Sequence, residues 1–190
     1  MSVYNLVESS HPLLKLPIEK CSDEIDRKKI KEDLTDSMKN FKGIGLSANQ
    51  IGFMERVFVM YSNVKEREII ACFNPKILSV SNKKVLMDEG CLSYPGLWLK
   101  VSRPDGIEVS YEDENGELHE KAMFGLECRV FQHEYDHMEG TDFTQKVSNL
   151  KLNMALKRLK KVKKRAKEYE QNQPVTLVLD SKEKYNCISP

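Results

Sequence analysis

Residues 132–140 read Gln132-His133-Glu134-Tyr135-Asp136-His137-Met138-Glu139-Gly140, and no other segment limits the fold as strongly. On an α-helix two histidines four apart lie on one face, one turn from each other, and from there they can hold a divalent metal ion together. The chain must therefore bury this helix deeply enough to shield an ion while leaving one side open to substrate. Glu134 lies one residue round the helix, where its carboxylate can serve as a general base toward water at the ion. Leu126, Val130, His133 and His137 fall on one stripe, and Gly140 is placed to stop the helix. By accident such a motif arises in roughly one chain in a hundred of this length, so it needs support from elsewhere.

The elements around it are short. Residues 23–41 carry apolar positions at helical spacing (Ile25, Ile30, Leu34, Met38, Phe41), ended by Gly43. Residues 57–61 and 69–73 read as buried strands, with Asn74-Pro75 closing the second. Residues 77–80 and 84–87 read as two more, joined by a turn at Ser81-Asn82. Residues 106–112 alternate strictly, Asn115-Gly116 makes a hairpin turn, and 117–122 return. A final helix over about 148–170 shows a stripe of Leu152, Leu156, Leu159, Val162, Ala166 and Tyr169, and Pro174 stops it. No βαβ alternation appears. The expected class is α+β, a mostly antiparallel sheet packed around a central helix bearing His-Glu-x-x-His, with a C-terminal helix.

The length of 190 residues suits one compact domain. Residues 1–171 are expected to form one catalytic unit, with a tail over 172–190 whose role the sequence does not disclose. Five scattered cysteines argue against a disulfide framework and for a reducing compartment. No apolar run approaches membrane-spanning length and the first residues lack a signal-peptide pattern, so the expectation is a cytoplasmic protein. Charge is uneven. Residues 1–145 carry 18 Lys and Arg against 25 Asp and Glu, whereas residues 146–171 carry 10 against 2. An acidic body with a basic helix suggests an anionic partner surface, although a solvated face is as ordinary an outcome.

Two histidines need a third donor. Cys91, in the tight loop Asp88-Glu89-Gly90-Cys91-Leu92-Ser93-Tyr94-Pro95-Gly96, would complete a Cys-His-His site with an open position. Taken alone it reads as a small buried residue. Glu139, Glu168, Glu170, His11 and His119 remain alternatives, although His119 reads better as an exposed strand residue. A glycine-rich segment, Gly43-Ile44-Gly45-Leu46-Ser47-Ala48-Asn49-Gln50, lacks the lysine and hydroxyl of a phosphate loop. Its small residues suit close approach of a substrate backbone. Asp136 is placed either to orient a ligand imidazole or to pair with Arg103, and a solvated helix-surface carboxylate is as ordinary a reading.

Together these three segments resemble the peptide deformylase family, which carries a Gly-x-Gly-x-Ala-Ala-x-Gln loop, a Glu-Gly-Cys-Leu-Ser loop and a Gln-His-Glu-x-Asp-His helix in this order. The resemblance covers about residues 7–165. Two departures are small: Ser47 stands for the usual alanine and Met138 for the usual leucine. The resemblance implies hydrolytic removal of the formyl group from N-terminal formylmethionine of new polypeptides, releasing formate. It implies Cys91, His133 and His137 as ligands of one divalent ion, usually Fe²⁺, with Zn²⁺, Ni²⁺ or Co²⁺ able to substitute. It further implies Glu134 as base, and Gln50 and the Leu92 N–H as donors to the developing oxyanion. Substrate backbone would pair at Gly45 and along Gly96-Leu97-Trp98. Ile44 and Val130 are the favoured pocket residues for the methionine side chain, with Met87, Leu126 and Trp98 as further candidates. The basic helix would dock on the ribosome. A zinc peptidase and a silent binding module are the competing classes. Retention of metal by Cys91→Ala would favour the first, and the intact Glu134 and Gln50 argue against the second.

Overall fold

A computed structural model describes residues 2–171 apart from Asp23 and Val64. The tail over 172–190, with Pro174 and the apolar run 175–179, lies outside the described residues.

Helix α1 spans Arg27–Asn40, capped by the Asp26 carboxylate, which accepts from Lys29 N–H at 3.0 Å. It buries Leu34 and Met38 against the residues of strands β1 (Gly45–Ser47) and β2 (Val57–Asn63). Strands β3 (Glu68–Val80), β6 (Gly106–Glu112) and β7 (Leu118–Phe124) complete a five-stranded sheet in the order β1-β2-β3-β6-β7, antiparallel at every pairing. The β6–β7 hairpin matches the sequence expectation. Asp113 Oδ1 accepts from the N–H groups of Asn115 and Glu117 at 2.8 and 3.0 Å and so fixes the turn.

Two expectations about strands are corrected. Asn74-Pro75 does not close a strand. β3 runs through it for 13 residues, because the pairing with β6 shifts register between Phe73 and Lys76. The shift is a bulge in which Asn74 takes a φ of 49° and Pro75 needs no ladder donor. Nor do residues 77–80 and 84–87 pair with each other. The first lies on β6, and the second belongs to β4 (Lys84–Gly90), which forms a separate two-stranded sheet with β5 (Trp98–Pro104). β5 went unread in the sequence.

Helix α2, Gly125–Met138, packs on β1, β2, β6 and β7 and carries both motif histidines. Phe131 is fully buried and meets Phe58 edge-on at 5.1 Å. The helix ends in a double closure: Gly140 N–H bonds to His137 C=O at 3.3 Å and Thr141 N–H to Asp136 C=O at 2.9 Å. Gly140 has a φ of 65°, and a Cβ there would lie 2.6 Å from Leu16 carbonyl carbon. Both backbone angle and space therefore require glycine.

Helix α3, Asn149–Gln171, starts one residue later than expected. Leu152, Ala155 and Leu159 pack on Leu97, Leu99, Val101 and Phe143. The rest of the expected apolar stripe does not dock. Among the described residues Leu156, Val162, Ala166 and Tyr169 have no packing surface and are exposed.

Candidate metal centre

α2 turns His133 and His137 toward the turn that follows β4, and there the Cys91 thiol meets them. Donor atoms of Cys91, His133 and His137 all lie within 4.8 Å of one another, with Cys91 Sγ 3.4 Å from His137 Nε2. One thiol and two imidazoles suit a borderline-soft divalent ion. The other candidate donors are elsewhere. Glu139 pairs with Arg56, Glu168 with Lys164, and exposed His11 accepts from Leu13 N–H. His119 sits with Asp113 and Glu117 on the β6–β7 hairpin. The Glu170 side chain lies outside the described residues.

Beneath the histidines is a buried ion network that the sequence did not reveal. Glu89, 4% exposed, accepts from His133 Nδ1 at 3.0 Å, from Arg103 at 2.7 and 2.9 Å and from Arg129 at 2.8 Å. Burial opposes its charge, yet these three partners hold its carboxyl well below the usual carboxylate range. The Glu89 bond fixes the His133 ring and leaves its Nε2 for an ion. Asp136 takes the second of its expected roles, pairing with Arg103 Nη1 at 2.7 Å and with Lys146 at 2.9 Å. Arg129 also caps the Val85 and Val101 carbonyls.

The two histidines are unlike. Burial pushes His137 down to about 3, and its buried Nδ1 has no partner among the described residues. Burial also works against a charged His133, but hydrogen bonds to Cys91 and Glu89 raise it to about 10.

Glu134 is buried at the edge of the cleft, and burial pushes its carboxyl up to about 7. Among the described residues its Oε2 has no hydrogen-bond partner, an orphaned acceptor beside the donor triad. Gly45 explains the fit on its other side: a Cβ there would lie 2.8 Å from Val130 Cγ1 and closer still to Glu134 Oε1. Gln50 is oriented by Ser47, whose N–H and Oγ both bond to Gln50 Oε1 at 3.0 Å. That leaves Gln50 Nε2 facing Cys91 Sγ and Ser93 Oγ, each at 3.2 Å. Asn49, also missed in the sequence, ties this loop to α2 by a bond from Nδ2 to His137 C=O at 3.0 Å.

A cavity of about 390 Å³ opens beside the triad. Ile44, Gly45, Gly96, Leu97, Leu92 and Val130 all line it, as do Met87, Leu126 and Trp98. Trp98 is 66% exposed, so it stands at the rim rather than on the floor.

Residues 3–153 match the family model described as polypeptide deformylase. This chain belongs to that family. The peptide deformylase of Novosphingobium aromaticivorans is 36% identical over 87% of this chain and 100% of its own length. Among solved deformylase structures, that from Legionella pneumophila superposes with a TM-score of 0.77 at 30% identity, covering 91% of this chain and 100% of that one. The Ehrlichia chaffeensis deformylase gives 0.75 at 33% identity, covering 88% and 99%. The α+β fold and antiparallel sheet are those of the deformylases.

Proposed function

We propose that Cys91, His133 and His137 hold one divalent ion, Fe²⁺ in the cell, and that Glu134, Gln50 and Leu92 carry the reaction beside it. The reaction is deformylase hydrolysis: the formyl group leaves the N-terminal formylmethionine of a newly made polypeptide as formate. The observation that carries the assignment of roles is the donor triad within 4.8 Å next to the unpartnered Glu134 Oε2.

An ion on these donors supplies a Lewis acid that acidifies water and polarises the formyl oxygen. Glu134 takes the proton from the attacking water. An acceptor raised to about 7 is suited both to take that proton and to return it to the leaving amine. Charge then develops on the formyl oxygen. Gln50 Nε2, held outward by Ser47, and the Leu92 N–H donate to it. Gly45 and the Gly96-Leu97 stretch bind the peptide backbone as an added strand, and Ile44 and Val130 contact the methionine side chain. The sheet wraps α2 as the central helix of one catalytic unit over residues 1–171, and the protein works in the cytoplasm. Among the described residues no helix is long and apolar enough to cross a membrane. The exposed basic face of α3 docks on ribosomal RNA, so co-sedimentation with ribosomes at low salt should be lost when residues 148–190 are removed.

The decisive assay incubates metal-loaded protein with formyl-Met-Ala and measures formate. Glu134→Gln should keep one ion per chain and lose activity by about 10²–10⁴-fold. Cleavage within a long peptide without formate would replace this reading with a peptidase.

A further inference from the structure

Asp142 is 1% exposed and stands two residues beyond the glycine that closes α2. Three chain segments meet on it. Its Oδ2 accepts from Tyr94 Oη at 2.7 Å and from Lys15 Nζ, and Lys15 also reaches Tyr94 Oη at 3.1 Å. Its Oδ1 accepts from Thr144 N–H at 2.9 Å and from the Thr144 hydroxyl.

Two of these partners, Tyr94 and Lys15, lead back to the metal centre. Tyr94 N–H donates to Cys91 C=O at 2.9 Å, and Tyr94 C=O accepts from Leu97 N–H at 3.0 Å, so Tyr94 closes the turn that carries Cys91. Its ring meets Phe143 edge-on at 5.5 Å, and Phe143 lies 5.6 Å from the His133 ring. Lys15 belongs to the N-terminal stretch pinned to the end of α2 by Ile18 N–H to Met138 C=O at 2.9 Å. Cys91 is thereby bracketed, with Glu89 bound to His133 two residues before it and Tyr94 bound to Asp142 three residues after.

We propose that Tyr94, Asp142 and Lys15 form a latch that keeps the Cys91 turn closed on α2 and so sets how slowly a bound divalent ion leaves. This rests on the reading of Cys91, His133 and His137 as ligands. An ion held by three donors departs only after one of them swings away. Cys91 is the donor on a turn, whereas both histidines are fixed on a packed helix. Swinging that turn breaks a charge-assisted hydrogen bond and leaves a buried carboxylate short of a partner. Tyr94 is a positioning residue here, acting through Cys91.

The test loads the full chain with one Zn²⁺ and times its release into excess chelator. Tyr94→Phe should release zinc roughly tenfold faster or more, if the roughly 10–100-fold loss of affinity typical of removing a group that supports a metal ligand falls on the release rate. Lys15→Met should show a smaller acceleration in the same direction. Thr144→Val weakens Asp142 on its other oxygen without touching the Cys91 turn. It should lower the thermal midpoint yet keep the parent release rate. The latch is overturned if Tyr94→Phe releases within twofold of the parent, or if Thr144→Val accelerates release as much as Tyr94→Phe. Cys91→Ala separates the two levels. If it retains zinc as slowly as the parent, the ligand reading falls and the latch with it. If it loses zinc while Tyr94→Phe holds it, the latch alone falls.

Discussion

Gly45→Ala should cripple the enzyme although it adds one methyl group to a strand. Gly45 does not have a positive φ, so alanine meets no backbone strain there. On propensity alone the change would stabilise the protein by about 0.4–1 kcal/mol. The side-chain space decides otherwise. The new Cβ would lie 2.8 Å from Val130 Cγ1 and 3.0 Å from Glu134 Cδ, and nearer still to Glu134 Oε1. Val130 and Glu134 are 4% exposed on the packed helix α2 and line the cleft, so the added methyl group must push one of them out of its place there. To recover ordinary contact the carboxylate must retreat by about 1 Å, a displacement that typically costs about 10²-fold in rate. Overpacking adds a destabilisation of about 1–3 kcal/mol. The expected result is a variant that binds one ion per chain, melts a few degrees lower, and has kcat reduced about a hundredfold. Steady-state formate release on metal-loaded protein measures kcat, and elemental analysis measures the ion. A kcat within threefold of the parent would refute the reasoning, since it would mean that Glu134 has room the packing denies it.

Three further outcomes follow from the same contacts. Arg103→Met removes the shared partner of Glu89 and Asp136 and leaves two buried carboxylates, so urea denaturation should show a loss of about 3–5 kcal/mol. Arg103→Lys should recover little of it, because lysine cannot make the forked contact. Asp142 is held at about 2, below its unfolded value, so its contribution of about 2 kcal/mol is present above pH 4 and lost as pH falls toward 2. Asp142→Asn should be less stable at neutral pH and should show a correspondingly shallower loss across that acid window in a series of thermal melts. With Fe²⁺ bound beside the Cys91 thiolate, activity should decay in air and persist anaerobically. Equal decay under both conditions would count against iron at this site.

The parts of the molecule that were legible in the sequence are those encoded by short-range periodicity. The histidine spacing of α2, the alternation of β6 and the Asn115-Gly116 turn each reflect geometry within a few residues. The partner of a strand is not encoded that way. Residues 84–87 gave no sign that they pair with β5 rather than their neighbour, although Leu99 and Val101 alternate with Lys100 and Ser102 as a half-buried strand should. Pro75 misled because proline at a bulge costs no ladder bond. The candidate ligands and base were readable from motif chemistry, and the structure gathers them into one place. Arg103 was legible only as a candidate partner of Asp136, and Glu89 and Arg129 were not legible at all, since charged residues are ordinarily exposed and only tertiary packing buries them together. Glu89 stood two residues before Cys91, and that proximity was the one available hint.

Helix α3 changes character along its length. Its first three turns are packed on β5 and Phe143, while every residue from 160 to 169 is exposed. A stretch of that size without a packed face is marginal as an isolated helix. In a hydrogen-exchange map, amides of α2 should open only with the whole molecule, whereas those beyond Leu159 should exchange through local fraying at almost no free-energy cost. The boundary should fall inside a single continuous helix. Among the described residues limited proteolysis should nick there first and leave a trimmed body that still holds Cys91, His133, His137, Glu134 and the whole cleft.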